Sequence, residues 1–188
     1  MRQGEFIAIV GPSGCGKSTF MKLTTGLKMP SMGKILIDGQ PVKGPLKISG
    51  MAFQAPSLLP WRTTVDNVLL PLEIVEPYRS NFKAKRKEYV DRARRLLQKV
   101  GLGGYEDKFP WQLSGGMQQR ASICRALIHE PKMLLLDEPS NDLDVETLQA
   151  LEAALEDFPG CAVIISHDRW FLDRVATHIL AFEGDSHV

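Results

Sequence analysis

Residues 7–19 read Ile-Ala-Ile-Val-Gly-Pro-Ser-Gly-Cys-Gly-Lys-Ser-Thr, an apolar run followed by a glycine-rich turn. The turn matches the pattern G-x-x-x-x-G-K-[ST] at every fixed position. Small residues in such a turn let successive backbone N–H groups surround a phosphate, while the lysine reaches the outer phosphates and the hydroxyl holds Mg²⁺. A helix predicted over residues 18–25 would direct its positive amino end at the same anion. The residues predicted to bind the nucleotide here are Gly11, Pro12, Ser13, Gly14, Cys15, Gly16, Lys17, Ser18 and Thr19.

The composition is that of a globular domain with balanced charge. Of 188 residues, 44% are apolar, and the chain has 23 basic and 22 acidic residues. This balance provides no global attraction to nucleic acid or to an anionic membrane surface. We expect no signal peptide and no membrane span, because no apolar run approaches the about 20 residues that a span requires. Three cysteines without metal-ligand spacing suit a reducing compartment, so a cytoplasmic location is predicted.

Short apolar stretches alternate with segments of helical periodicity along most of the chain. The stretches predicted as strands include residues 6–10, 47–54, 133–136, 162–166 and 178–182. Alternation of this kind indicates an α/β fold with a mostly parallel sheet flanked by helices. Ligands of such sheets bind at the carboxyl ends of the strands.

The middle of the chain has a helical pattern instead. An amphipathic helix is predicted over residues 83–100, and Ser114 is a candidate N-cap for a helix that continues to residue 128. Trp61 and Trp111 are interpreted as packing residues of this helical region. We therefore expect an inserted α-helical subdomain.

Two adjacent carboxylates, Asp137 and Glu138, follow the apolar strand at residues 133–136. Adjacent side chains on a strand point to opposite faces unless the strand has ended. One carboxylate can then meet a metal ion, while the other turns toward water near the γ-phosphate. The pair predicts the metal and hydrolysis part of a nucleotide site.

Six motifs in this order closely resemble the ATPase domain of the ATP-binding cassette (ABC) family, over essentially the whole chain. They are the turn at residues 11–19, Gln54, Leu113-Ser114-Gly115-Gly116-Met117, the strand ending in Asp137-Glu138, Asn141-Asp142-Leu143-Asp144, and His167. A glycine-rich turn alone occurs in many NTPases. The Ser-Gly-Gly signature between the glutamine and the carboxylate pair is specific to this family. The resemblance implies a P-loop NTPase fold of the RecA-like kind.

The resemblance also implies a role for each motif residue toward ATP and Mg²⁺. Lys17 and the turn amides would hold the phosphates, Glu138 would polarise the attacking water as general base, and His167 would contact the γ-phosphate. The implied catalytic residues are Lys17, Gln54, Glu138 and His167, and the implied Mg²⁺ ligands are Ser18, Gln54 and Asp137.

Other implied contacts involve partners. Ser114, Gly115 and Gly116 would bind the γ-phosphate held by a second copy of the chain, and Asp144 would belong to the loop that communicates across this head-to-tail dimer. Transmembrane permease subunits would be the other partners, at the inner face of the cell membrane. No direct contact with nucleic acid is expected.

The resemblance further implies a division of the chain, residues 1–188, as a single ABC ATPase domain. Residues 1–54 and 120–188 would form the nucleotide-binding core, and residues 55–119 the helical subdomain with the signature. Family members usually carry an N-terminal antiparallel strand pair with an aromatic residue that stacks on adenine. Only five residues precede Phe6, so we expect these strands to be truncated and ATP binding to be weaker.

Two subfamily resemblances disagree. Residues up to about 138, chiefly 51–61 and 113–120, resemble importer ATPases of the nitrate, sulfonate and taurine type. Residues from about 140, chiefly 141–148 and 158–173, resemble ABC-F proteins, which are ribosome-associated. We hypothesise a chimera with a join between residues 137 and 141.

Three functions follow from these resemblances. The first is the ATP-hydrolysing subunit of an importer. The second is an ABC-F-like ribosome-associated ATPase, although that family normally has two cassettes in one chain. The third is a truncated or chimeric cassette with weak or no activity.

Overall fold

The computed structural model describes residues 2–140, 145–156 and 158–182. Within these ranges, the strands are β1 Phe6–Val10, β2 Leu36–Ile37, β3 Gln40–Pro41, β4 Ser49–Ala52, β5 Met133–Asp137, β6 Cys161–Ile165 and β7 His178–Ala181. The α-helices are α1 Lys17–Thr24, α2 Thr64–Leu69, α3 Tyr78–Asn81, α4 Arg86–Lys99, α5 Gly115–Leu127, α6 Val145–Glu156 and α7 Arg169–Val175. Two 3₁₀ turns lie at Leu70–Glu73 and Pro110–Gln112. No helix in the described ranges is long and apolar enough to cross a membrane.

Five strands form one sheet in the order β4-β5-β6-β1-β7, and β2 pairs with β3 in a separate antiparallel ribbon. Every pairing in the larger sheet is parallel. The carboxyl ends of β4, β5, β6 and β1, four neighbours in the sheet, therefore lie along one edge. The predicted α/β class with a mostly parallel sheet is confirmed.

Both faces of this sheet are buried. Leu134 and Leu136 of β5 pack in a cluster that includes side chains of α5, α6 and α7. Met133 and Leu135 of the same strand pack on the other side with Met21 of α1. Burial on both faces explains why β5 is continuously apolar rather than alternating.

A second core lies away from the sheet. It joins α2, the 3₁₀ turn that follows it, α4 and α5, with fully buried Val68, Leu72, Leu97 and Leu102. Cys124 of α5 belongs to this core, and its burial raises the pKa of its thiol to about 12, so it packs as a neutral side chain. Helix α5 contributes side chains to both cores. It spans Gly115–Leu127 and so crosses the predicted boundary between residues 119 and 120. The division into subdomains stays a prediction.

Two elements are shorter than predicted. The helix expected over 83–100 begins at Arg86, because residues 82–85 form a turn that separates it from helix α3. The strand expected over 47–54 is limited to Ser49–Ala52, because its ladder with β5 covers only these four residues. The chain after Ala52 thus makes no further ladder bonds with β5 and continues to α2 in the helical region.

Asn67 of α2 organises this segment. Its side chain is fully buried, and its Oδ1 accepts a hydrogen bond from the Leu59 N–H at 2.7 Å. Its Nδ2 lies 3.1 Å from the carbonyl oxygen of Leu59, 3.1 Å from that of Arg62 and 3.0 Å from that of Thr63. One amide therefore contacts four backbone groups of the loop at residues 59–63.

Replacing Asn67 with alanine is expected to lower the free energy of unfolding by about 2–4 kcal/mol, because several partly buried backbone groups lose their partner at once. Chemical denaturation measures this change. Asn81→Ala is the matched control, since among the described residues its exposed amide donates only to the Pro77 carbonyl. We expect the control to change stability by less than about 0.5 kcal/mol. Equal effects from the two substitutions would contradict the role given to Asn67.

Candidate functional site

A cavity of about 330 Å³ opens at the carboxyl edge of the parallel sheet. Its walls come from the turn after β1, the residues after β4, and the ends of β5 and β6. The lining residues are Ser13, Gly14, Gly16, Lys17, Ser18, Thr19, Gln54, Asp137, Glu138, Ile165 and His167. All except Ile165 are predicted from the sequence as site residues. Ile165 is missed because an apolar residue at the end of β6 carries no signal beyond that of sheet core.

The glycine-rich turn leaves backbone donors free for a ligand. Gly16 is the N-cap of α1 with φ of 101°, a conformation that favours glycine, and it provides no capping side chain. The first N–H groups of α1 therefore have no intrahelical acceptor and lie beside the cavity. At Gly11, a Cβ atom would lie 2.7 Å from the Phe182 carbonyl oxygen, so only glycine fits between β1 and the end of β7.

Lys17 is held inside the turn. Only 8% of the residue is exposed, and its Nζ donates to the carbonyl oxygens of Gly11 at 2.7 Å and Pro12 at 2.9 Å. The Sγ atom of Cys15 lies 4.0 Å from the same nitrogen. These three predicted phosphate-binding residues do not line the cavity but surround its lysine. The ammonium group is thereby held within the turn, at the edge of the cavity.

Three side chains whose oxygen atoms could bind a metal lie near the N-terminus of α1. The Oγ of Ser18 lies 3.4 Å from Oδ1 of Asp137, and exposed Gln54 lines the same cavity. No group of three or more His, Cys, Asp or Glu that could hold a metal exists in the described residues. A hydroxyl, one carboxylate and an amide oxygen nevertheless fit Mg²⁺, which takes few protein ligands and completes its shell with phosphate oxygens and water.

Glu138 and His167 contact each other at the inner wall. Glu138 is 7% exposed, has φ of 49°, and donates its N–H to the Ile165 carbonyl at 2.8 Å. Its Oε2 accepts from the His167 backbone N–H at 3.3 Å, and its Oε1 lies 3.2 Å from Nε2 of the His167 ring. A neutral imidazole must carry its proton on Nε2 for this contact. The backbone thus leaves the extended strand conformation at Glu138, immediately after Asp137, the last residue of β5.

The signature lies outside this cavity. Ser114 is the N-cap of α5 and accepts a hydrogen bond from the Met117 N–H at 3.3 Å. Ser114 and Gly115 are exposed and Gly116 is half-buried, and none of the three lines the cavity. Asp144, the remaining predicted nucleotide contact, lies outside the described residues.

The interpretation of Trp61 and Trp111 as packing residues is wrong. Trp61 is 71% exposed and Trp111 is 66% exposed. The second core is filled mainly by aliphatic side chains of α2, α4 and α5, and both indoles lie on connecting segments outside it. The Trp111 ring stacks on Phe109 with ring centroids 4.6 Å apart. We call Trp61, Phe109 and Trp111 the aromatic surface.

A parallel sheet whose edge combines a glycine-rich turn, a buried lysine, a serine at the helix start and a strand-end carboxylate pair defines a P-loop NTPase. A family model described as ABC transporter matches residues 1–141. The chain belongs to the ABC transporter family.

Relatives include several ATP-binding proteins. The ABC transporter ATP-binding protein MJ0412 of Methanocaldococcus jannaschii is 42% identical over 153 residues, which cover 81% of this chain and 55% of the relative. The taurine import ATP-binding protein TauB of Yersinia pestis is 41% identical, over 88% of this chain and 64% of the relative. The nitrate import ATP-binding protein NrtD of Synechococcus elongatus is 40% identical, over 89% of this chain and 61% of the relative. The chain thus spans about three fifths of the length of these relatives.

Among solved structures, the ATP-binding cassette MJ0796 in a dimeric post-hydrolysis state, bound to ADP and Pi, superposes with a TM-score of 0.82. It is 30% identical, and the match covers 98% of this chain and 83% of that one. The likeness extends over both the sheet and the helical region.

The importer resemblance of the first part of the chain is confirmed by the relatives named for taurine and nitrate import. The hypothesised chimera finds no support. Matches covering 88% and 89% of a chain of 188 residues extend past residue 140 wherever they begin. The matches to these importer relatives thus run through the proposed join.

Proposed function

We propose that the chain binds and hydrolyses ATP as the ATP-binding subunit of an importer. The observation that carries this proposal is the convergence of Lys17, Asp137, Glu138 and His167 on one cavity at the carboxyl edge of the sheet. Phosphoryl transfer needs positioning and charge stabilisation more than covalent chemistry. The cavity offers both, because the Lys17 ammonium group and the buried Glu138 carboxylate line it.

In this proposal each part of the cavity has one task. The Lys17 ammonium and the first N–H groups of α1 hold the β- and γ-phosphates. Glu138 accepts the proton of the attacking water, since its carboxylate faces the cavity and is fixed through both oxygens. His167 donates its backbone N–H to Glu138, and its ring lines the cavity, where we place its contact with the γ-phosphate. Ser18, Gln54 and Asp137 would hold Mg²⁺, which neutralises phosphate charge when bound.

The proposed active unit is a head-to-tail dimer of this chain. The N-terminus of the 13-residue helix α5 is exposed at Ser114 and Gly115 and takes no part in the chain's own cavity. Its N–H groups are suited to an anion, and the space beside Gly115 is open, since a Cβ added there would meet no atom within 4 Å. A second copy that presents its γ-phosphate there would complete two sites at once. The dimeric state named for MJ0796 supports this arrangement.

Permease subunits at the inner face of the membrane are the proposed second partner. The aromatic surface adjoins a polar depression lined by Trp61, Arg62, Thr63, Asp66, Glu73 and Phe109. The bidentate pair of Arg62 with Glu73, at 2.8 and 3.0 Å, keeps this depression rigid. Exposed aromatic rings beside charged groups are typical of protein interfaces. The relatives named for taurine, nitrate and sulfonate import suggest small oxyanions as the cargo of the assembled transporter.

The experiment that tests the proposal is steady-state phosphate release by the purified chain. We expect release that depends on Mg²⁺ and whose rate per chain rises with protein concentration, because a monomer lacks the signature side of its site. Chelation of Mg²⁺ should abolish it. Absence of turnover at all concentrations would overturn the proposal and favour the inactive cassette. Undiminished turnover in a sample that light scattering shows to be monomeric would overturn the dimer.

A further inference from the structure

Two serine hydroxyls outside the cavity join the loops that carry its catalytic carboxylate and histidine. The Oγ atoms of Ser140 and Ser166 lie 2.6 Å apart. Ser140 is 8% exposed and Ser166 is 1% exposed, so the bond is shielded from water. Ser140 follows Glu138 by two residues, and Ser166 immediately precedes His167. Neither serine lines the nucleotide cavity.

Ser166 is itself fixed from the helix side. Its Oγ accepts a hydrogen bond from the Asp168 N–H at 3.0 Å. The Oδ1 of Asp168 in turn accepts from the Phe171 N–H at 3.1 Å, which caps the start of α7. Phe171 is fully buried in the core between sheet and helices. Both neighbours of His167 are therefore anchored to the body of the protein.

The direct contact between Glu138 and His167 is less protected. The His167 side chain is 62% exposed, whereas the Glu138 side chain is 9% exposed. Exposed charged contacts hold geometry weakly, because water competes with them and screens them. A buried hydroxyl pair between the same two loops is the stronger restraint.

We propose that Ser140 and Ser166 are positioning residues that keep Glu138 and His167 at the separation needed for hydrolysis. The inference rests on the proposed ATPase function. The pair does not touch the nucleotide and acts through the two loops. Small displacements of a general base reduce turnover strongly, and a 1 Å shift can cost about 10²-fold in rate. Loss of the hydroxyl pair should therefore reduce the chemical step rather than nucleotide binding.

The test is a double-mutant cycle with Ser140→Ala, Ser166→Ala and the double variant. We expect each single substitution to lower kcat by about five- to tenfold, and the double variant to lose no more than the worse single one, because both act on one bond. KM for ATP and the affinity for MgADP, measured by titration calorimetry, should stay within about twofold, since the phosphate cradle is unchanged. Ser122→Ala, a fully buried serine of α5 far from the pair in the chain, is the matched control and should leave kcat unchanged.

Thermal unfolding of each variant gives the folded fraction to which kcat is referred. If an alanine variant does not fold, Ser140→Cys or Ser166→Cys fills the site with a slightly larger side chain that hydrogen-bonds only weakly. Unchanged kcat in the single variants, with wild-type turnover present, would overturn this inference alone. Losses that multiply in the double variant, or that fall on KM and MgADP affinity instead, would overturn it as well. Absence of turnover in the wild type would overturn the proposed function and this inference together.

Discussion

Replacing Glu138 with glutamine is expected to lower ATP turnover by about 10²- to 10⁴-fold, the usual contribution of a general base. Glutamine has the same shape but cannot accept the proton of the attacking water at neutral pH. The Lys17 cradle is untouched, so MgATP should still bind. Because hydrolysis ends the ATP-bound state, the variant should accumulate as an ATP-bound dimer. Phosphate release measures the first effect, and light scattering after size-exclusion chromatography measures the second.

Glu88→Gln is the control for this substitution. Glu88 is an exposed residue of α4, with 64% of its side chain accessible, and pairs only with Lys85 at 3.6 Å in the described part of the chain. The same chemical change there should leave turnover as it is. Turnover that survives in Glu138→Gln would remove Glu138 from the role of base. A lost dimer with lost turnover would instead indicate damage to nucleotide binding.

Mixing two inactive variants is expected to restore ATP turnover. Lys17→Ala should weaken nucleotide binding by about 10- to 100-fold, because a charge-assisted contact to phosphate contributes about 1.5–3 kcal/mol. Ser114→Arg should block the signature side of the interface by its bulk. In a mixed dimer, the intact turn of one copy faces the intact signature of the other, so one of the two sites is complete. Random pairing predicts up to about a quarter of the wild-type rate.

A mixture of Lys17→Ala with Glu138→Gln is the matched control. Both residues line the same cavity of one chain, so every site in that mixed dimer carries one of the two defects. We expect no restored phosphate release. Restoration in both mixtures, or in neither, would contradict a composite site formed by the turn of one copy and the signature of another. Full activity of Ser114→Arg alone would exclude Ser114 from the site.

Much of the candidate site could be predicted because its chemistry depends on local backbone. The glycine-rich turn is a continuous segment whose pattern is tied to the conformation at Gly11 and Gly16. Asp137 and Glu138 are recognisable because they end an uninterrupted apolar strand. Gln54 and His167 carry no local signal of their own, and only their order among the other motifs identified them.

Other features depend on what lies opposite each residue. The exposure of Trp61 and Trp111 follows from a helical core already filled by aliphatic side chains, which composition and periodicity do not reveal. Glu138 has a positive φ although its N–H still bonds the Ile165 carbonyl on the neighbouring strand, and no local pattern reveals this conformation. The Ser140–Ser166 bond joins residues 26 positions apart that have no motif in common.

By itself the sequence determined the family, the parallel α/β class and the glycine-rich turn beside the cavity, because these depend on patterns within short segments. The tertiary structure decided which of those residues share one cavity, which surround its lysine, and that the signature lies outside it. It also placed Ser140 and Ser166 in hydrogen-bond contact, which joins the loops of Glu138 and His167. These relations depend on the order β4-β5-β6-β1 in the sheet, which sets strands distant in the chain side by side.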